Sequence, residues 1–169
     1  MDKFQVGSPL RSVLTQAENN TTLWIGHLQT DPTDHFGGQT FICPDEGQLD
    51  NIQLFASSVH SPGDIQLTLH EFDPVHKTWG PSLANCTTHV HKEDDHQWIR
   101  FSFPTLALKK SSAYGFRVKA THGMIGLGEA ACDNQHPFTF GHEWNADSID
   151  QKGHFYSYFS LAFKVEMRA

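Results

Sequence analysis

Alternation between apolar and polar residues is the feature that most constrains the fold of this chain. In the segment 65–71, Ile65, Leu67 and Leu69 are apolar, whereas the intervening Gln66 and Thr68 are polar. Successive side chains of an extended strand point to opposite faces, so a period of two buries one face and exposes the other. The segment is therefore predicted to be a half-buried β-strand.

The same pattern recurs along most of the chain. It is clear at 99–103, 114–120 and 159–165, and weaker at 23–27, 39–43, 50–56, 83–91, 124–127 and 138–140. Turn-forming pairs such as Ser61-Pro62 and Gly80-Pro81 lie between these segments. Short strands at fairly regular intervals predict an all-β protein, an antiparallel β-sandwich rather than an α/β fold. A helix is predicted only at 12–18, within a short N-terminal lead-in.

The length and net charge of the chain limit the classes of protein to which it can belong. A chain of 169 residues suits one domain, which we expect to span 1–169. The net charge of −7 argues against nucleic acid or anionic lipid as the main partner, because both select clustered lysine and arginine. No run of about 20 apolar residues is present, so no membrane span is expected. The first residues do not resemble a signal peptide, which leaves an intracellular protein or an exported one whose signal is not in this sequence.

Histidine is unusually frequent, and cysteine is not. The 12 histidines equal all lysines and arginines together, and protonating every one would change the net charge from −7 to +5. The surface charge is therefore expected to reverse at acidic pH. Cys43, Cys86 and Cys132 lie far apart with no Cys-x-x-Cys pair, which argues against a zinc site built on thiolates and favours free cysteines.

Several strand-and-turn motifs occur in an order that resembles a known architecture. They are GQTF at 38–41, LDNIQL at 49–54, SPGDIQLTL at 61–69, WGPSLA at 79–84, WIRFSF at 98–103, AYGFRV at 113–118 and LAFKV at 161–165. Residues 38–165 thus resemble a family of bacterial jelly-roll β-sandwich modules of the carbohydrate-binding-module-like type, and residues 1–37 form a divergent lead-in. The resemblance implies a jelly-roll topology, no catalytic residues and attachment to secreted or surface proteins.

A segment rich in aromatic and amide side chains, 134–145, is the first candidate site. Sugar recognition uses an aromatic plane against the C–H faces, and amides or carboxylates for the hydroxyl groups. This segment supplies both kinds of group, so we expect it to contact a carbohydrate. The candidate residues are Trp144, His142, Asn145, Glu143 and Asn134. The alternative is that the rings of Phe138, Phe140 and Trp144 fill one end of the core.

Three histidines form the second candidate site. If strands 83–91 and 96–103 pair as a hairpin around 92–95, His91 lies opposite His96, and His89 shares the face of His91. A directly opposed residue has its Cβ about 5 Å away, so three imidazoles would be within reach of one metal ion. Such a site resembles catalytic zinc with one open position. The alternative is a solvated hairpin face.

Two carboxylates form the third candidate site. Asp31 and Asp34 lie in a loop just before the first matched strand and could ligate calcium, as loop carboxylates do in many binding modules. The alternative is that both are solvated loop acids. The sequence contains no Gly-x-Ser-x-Gly motif, phosphate-binding glycine loop or dinucleotide fingerprint.

These observations favour one function and leave two others open. The favoured function is a non-catalytic binding module that recognises carbohydrate or another small polar ligand through the aromatic segment. The second is a metal-dependent protein, including a metalloenzyme, that uses the three histidines. The third is a structural or adhesive domain that binds protein partners, for which a homo-oligomer would be expected.

Overall fold

The computed structural model describes residues 9–28, 30–132 and 137–168. Its secondary structure within these ranges consists of β-strands and one short 3-10 turn, Lys92–Asp94, with no α-helix. The strands are β1 (Leu10–Gln16), β2 (Thr21–Gly26), β3 (His35–Ile42), β4 (Gly47–Ser61), β5 (Gly63–Asp73), β6 (Thr78–Val90), β7 (Gln97–Leu108), β8 (Ala113–Ala120), β9 (Met124–Ala131), β10 (Glu143–Asp147), β11 (His154–Tyr156), β12 (Phe159–Leu161) and β13 (Phe163–Arg168). The all-β prediction is confirmed. In the described ranges no helix is long and apolar enough to cross a membrane.

Every strand pair is antiparallel, and the strands form one curled sheet. The order is β1-β13-β4-β9-β2-β3-β8-β5-β6, with β7 on β4, β12 on β9, and the β10–β11 hairpin on β3. A single residue pair, Gly26 with His35, joins β2 to β3. The antiparallel architecture confirms the coarse prediction, whereas the sandwich arrangement and the jelly-roll topology stay predictions.

The alternating residues form the core, as their pattern predicts. Ile65, Leu67 and Leu69 of β5 are fully buried, and Phe116 and Val118 of β8 pack in the same core. The polar residues between them face away from the core, where they are partly exposed. Burial of one strand face therefore fixes which side chains reach the other, outward face.

Two segments differ from their predicted secondary structure. The helix predicted at 12–18 is wrong, because residues 10–16 form β1, which pairs along its length with β13. Hydrogen bonding to a distant strand outweighs the local helix propensity of this segment. The strand predicted at 138–140 is also wrong: the carbonyls of Phe140 and His142 accept hydrogen bonds from Ile42 and Thr40 of β3, but no ladder forms there.

The hairpin proposed for the three histidines is also incorrect. β6 pairs with β5, whereas β7 pairs with β4, so that Ile99 lies opposite Leu54. No ladder joins β6 to β7 in the described chain, and the backbone amide of His96 donates to Ala56 instead. The hydrophobic residues of β7 are buried in the core beside β4. As a result, His96 does not lie in a cross-strand position opposite His91.

Candidate functional site

The outward face of β3, β8 and β5 carries a polar cleft. In β8 the core-facing Phe116 and Val118 alternate with Arg117 and Lys119, which face outward. Arg117 lies opposite Thr68 of β5 on one side and opposite β3 on the other. Sheet pairing therefore brings cationic and hydroxyl side chains together from strands that are distant in sequence.

Two indole rings pack on this outward face because two positions lack side chains. A Cβ at Gly115 would lie 2.6 Å from the Trp79 ring, and one at Gly38 would lie 3.1 Å from the Trp144 ring. The two indoles meet edge to face, with their centroids 5.4 Å apart. Glycine at these positions thus lets an aromatic wall rest directly on the backbone of β8 and β3.

Arg117 is held against this aromatic wall. Its guanidinium carbon lies 4.8 Å from the centroid of Trp79 and 5.7 Å from that of Trp144, within cation–π range. Its Nε and Nη2 donate to Nε2 of His70 at 3.4 and 3.2 Å. No carboxylate of the described residues lies within ion-pair distance of Arg117. Partial burial lowers the pKa of Arg117, but an arginine stays charged at neutral pH.

His70 fixes the orientation of Arg117. Its Nδ1 lies 3.1 Å from the Gly80 carbonyl, which can only accept, so the ring carries its proton on Nδ1. Its Nε2 is then a lone-pair acceptor for Arg117. Burial lowers the pKa of His70, and the neighbouring charge of Arg117 lowers it further, whereas the hydrogen bond to Gly80 raises it. Neutral His70 is thus the form that holds the arginine.

We call this cavity the Arg117 cleft. Its volume is about 330 Å³, and its lining residues are Phe36, Gln66, Thr68, His70, Arg117, Val118, Lys119, Trp144 and Gln151. The lining combines two cations, amides and a hydroxyl with aromatic surface, and the described residues add no aspartate or glutamate to it. A larger cavity of about 470 Å³ lies near the turn after β7. One of its polar groups, the Tyr114 hydroxyl, already accepts a hydrogen bond from the Lys109 amide.

The residues predicted from the aromatic segment do not converge. Trp144 lines the Arg117 cleft, but it is only 3% exposed and its Nε1 donates to the Lys152 carbonyl at 3.0 Å. Asn145 lines a separate depression beside Trp24, and His142 lines a third. Asn134 lies outside the described residues. Trp144 is therefore a wall of the cleft rather than an exposed platform.

Glu143 lies on the opposite side of β10 from Trp144 and is fully buried. Neither of its carboxyl oxygens makes a hydrogen bond. Burial raises its pKa to about 10, and the nearby Glu129 raises it while Asn145 opposes the shift. Gln39, its neighbour on β3, is also buried and accepts hydrogen bonds from the amide of Leu161. Glu143 is thus a neutral acid inside the fold and does not face the cleft.

The structure brings two of the three hairpin histidines together. The rings of His89 and His91 lie 4.4 Å apart, and Nδ1 of His89 lies 2.6 Å from a carboxylate oxygen of Asp64. His96 is exposed beside Asp95 at 3.8 Å. Among residues 9–28, 30–132 and 137–168, no group of three or more His, Cys, Asp or Glu side chains is placed to hold a metal ion. A metal site at these histidines stays a prediction.

The two proposed calcium ligands each pair with a histidine. Asp31 lies 3.3 Å from His35 and accepts a hydrogen bond from the Thr33 amide, while Asp34 lies 2.5 Å from His27. The Thr33 amide and His35 lower the pKa of Asp31. The same pairing recurs on the surface of the described chain, at His76–Asp73, His89–Asp64, His96–Asp95 and His154–Asp150. Much of the histidine content thus lies beside aspartates, in exposed pairs that contribute little to stability.

Three residues central to the cleft, Arg117, His70 and Trp79, were not among the site residues that the sequence predicted. Arg117 and Lys119 lie on the polar face of a well-predicted strand, and period two alone places them together on the outward side. The position of Trp79 and His70 beside Arg117 depends on the β5–β6 and β5–β8 registers, which single-strand patterns do not specify.

The three cysteines are free, as predicted. No family model and no curated protein matches this chain.

Proposed function

We propose that this protein is a non-catalytic binding module that recognises carbohydrate in the Arg117 cleft. The observation that carries the proposal is the convergence of Gln66, Thr68 and Arg117 from two adjacent strands beside the aromatic rings of Phe36 and Trp144. This set of groups matches the needs of a polyhydroxylated ligand, since amides and hydroxyls pair with sugar hydroxyls and aromatic surface packs against C–H groups.

The size and chemistry of the cleft support a binding role. A volume of about 330 Å³ is at the small end of ligand pockets, which suits one or two sugar rings. Glycoside hydrolysis uses two carboxylates that flank the scissile bond. The described lining supplies amides, a hydroxyl and cations instead, which are recognition groups.

We propose in addition that the curled sheet is a two-layer sandwich of the jelly-roll type. The single Gly26–His35 pair between β2 and β3 supports this, because it leaves two broad groups of strands on either side of a narrow junction. An experimental structure that shows two separate layers enclosing the core would bear this out, and one that shows a continuous closed barrel would overturn it.

A glycan array tests the proposed function. The wild-type protein and Ser102→Tyr are expected to bind the same oligosaccharides, because Ser102 is exposed on β7, which pairs with β4 and contributes no residue to the cleft. Thr68→Tyr places a ring in the cleft and is expected to abolish that binding while the melting temperature stays close to that of Ser102→Tyr. Absence of binding to any neutral or acidic glycan, or full binding by Thr68→Tyr, would overturn the proposal.

A further inference from the structure

We infer that the carbohydrate bound in the Arg117 cleft is acidic and that Arg117 recognises its carboxylate or sulfate group. The inference rests on the proposed function and specifies its ligand class. It follows from four features of the cleft, which concern the partners of Arg117, its available donors, its orientation and the surrounding charge.

Arg117 lacks the partner that a partly buried cation normally has. Buried charges in proteins are usually paired, because removal from water costs free energy that an opposite charge offsets. The partly buried Arg168 follows this rule, with Asp50 as its partner. No described carboxylate stands beside Arg117. A bound anion would supply the missing charge.

The donors of Arg117 are available in a geometry suited to an anion. An arginine offers five N–H donors in a planar fork that matches a carboxylate or sulfate. Within the described chain, only Nε and Nη2 find an acceptor, and both use His70. Nη1 therefore keeps its two N–H groups for a ligand that enters the cleft.

The guanidinium is oriented before any ligand arrives. The wall of Trp79 and Trp144 lies along it, and His70 accepts from one edge. His70 is itself anchored by the Gly80 carbonyl. A fixed arginine loses little conformational entropy on binding, so more of the interaction energy is available for affinity.

The charge of the cleft lining is opposite in sign to the net charge of the chain. The chain carries a net charge of −7, which repels anions in general. Arg117 and Lys119 nevertheless line one cleft whose described lining contains no acid. Lys164 offers a contrast, because its amine lies 4.3 Å from the Trp98 centroid but neither residue lines the cleft. Gln66 and Thr68 remain to pair with sugar hydroxyls.

Titration calorimetry with matched glycans tests the inference. The probes are oligogalacturonate and the same oligosaccharide after reduction of its carboxyl groups, together with chondroitin sulfate before and after desulfation. Whichever of the two acidic glycans binds, we expect removal of its carboxylate or sulfate groups to lower the affinity at least tenfold. The carboxylate and sulfate pairs thereby show which anion the cleft prefers.

The outcomes separate this inference from the proposed function. Equal binding of acidic and neutral partners, lost on Thr68→Tyr, would overturn the acidic ligand and retain the carbohydrate module. Absence of binding to all four probes and to the glycan array would overturn both. Acidic binding that is unaffected by Thr68→Tyr would place the anion elsewhere and overturn the assignment to this cleft.

Single substitutions test which residues recognise the acidic group. Arg117→Gln should lower the affinity for the acidic probe at least tenfold, and this loss should be larger than the loss of affinity for the neutral partner. Lys119→Gln, at an exposed position where folding is safe, should lower it about threefold. Arg117→Lys should recover only part of the loss, because lysine lacks the planar fork. Lys164→Gln is the control and should bind as the wild type does, and an equal loss in this control would overturn the assignment.

Discussion

Glu143 and Arg117 are both ionisable groups without an opposite charge in the described structure, yet their surroundings differ. Glu143 is fully enclosed on the core side of β10, with no hydrogen bond to either oxygen. Arg117 lies on the outward side of the sheet, partly exposed, between two indoles and a neutral histidine. Trp144, the residue after Glu143, contributes to the surroundings of Arg117.

The comparison shows two ways in which a fold accommodates an unpaired ionisable group. A carboxyl group can take up a proton and become neutral, and the raised pKa of Glu143 indicates this outcome. A guanidinium cannot lose its charge, so it needs water, aromatic faces or an anion. We therefore expect the enclosed Glu143 to make the stability of the fold depend on pH, and the partly exposed Arg117 to affect ligand binding.

The largest expected effect concerns the pH dependence of stability at Glu143. Its folded-state pKa, about 10, lies above the ordinary 4.5, so the folded state holds the proton more tightly. This stabilisation is complete below pH 4.5 and is lost as pH rises toward 10, with a slope of about 1.4 kcal/mol per pH unit. Glu143→Gln should remove this slope, and chemical denaturation at pH 5, 6.5 and 8 would measure it.

The exposed Glu93 provides the control for that experiment. Glu93→Gln lies in the 3-10 turn and should leave the slope of the wild type intact. If Glu143→Gln and wild type lose stability in parallel from pH 5 to pH 8, the picture of a neutral buried acid is wrong.

A smaller but still large effect is expected where the indole wall meets the backbone. Gly115→Ala puts a methyl group 2.6 Å from the Trp79 ring, so the ring must move. Forced displacement of a packed side chain costs about 1–3 kcal/mol, and it would also disturb the contact between Trp79 and Arg117. Urea denaturation and tryptophan fluorescence would measure both effects, and an unchanged emission spectrum with wild-type stability would contradict the wall as described.

Replacement of Arg117 itself should cost less stability than Gly115→Ala. Arg117→Met keeps much of the aliphatic bulk and removes the cation–π contacts, for an expected loss of about 1 kcal/mol at neutral pH. Lys164→Met removes the corresponding contact with Trp98 and provides the matched comparison. A loss above about 3 kcal/mol in Arg117→Met alone would mean that the arginine is primarily structural.

The smallest effect is expected at the exposed histidine pairs. Asp64→Asn removes the carboxylate beside His89. The side chains of Asp64 and His89 are both nearly half exposed. Such pairs contribute little, so the free energy of unfolding of Asp64→Asn should differ from that of the wild type by less than about 0.5 kcal/mol at pH 5 and at pH 8. A thermal melt at the two pH values measures this, and a shift as large as that of Glu143→Gln would remove the distinction between enclosed and exposed groups.

Much of the fold was predictable because alternation records burial directly. The patterns of β5, β8 and β13 identified core residues such as Leu67, Phe116 and Phe163. β1 was missed because its strand structure depends on pairing with β13, and a local pattern contains no information on a partner at the opposite end of the described chain.

The candidate site was less predictable for a related reason. The aromatic segment drew attention to Trp144, which lines the Arg117 cleft. The same period of two places Glu143 and Asn145 on the other face of β10, and this signal was available in the sequence. The convergence of Arg117, His70 and Trp79 was not available, since it depends on the registers between β5, β6 and β8. Cross-strand neighbours are set by tertiary pairing, which one sequence does not display.

The position of β13 has a consequence for the synthesis of the chain. This strand is inserted between β1 and β4, and the adjoining β12 pairs with β9. During synthesis on a ribosome, β1, β4 and β9 would therefore each have an unpaired edge until residues 159–168 have emerged. Unpaired edges are sites of aggregation, so a chain truncated before Phe159, which leaves all three edges open, is expected to aggregate more readily than the full chain.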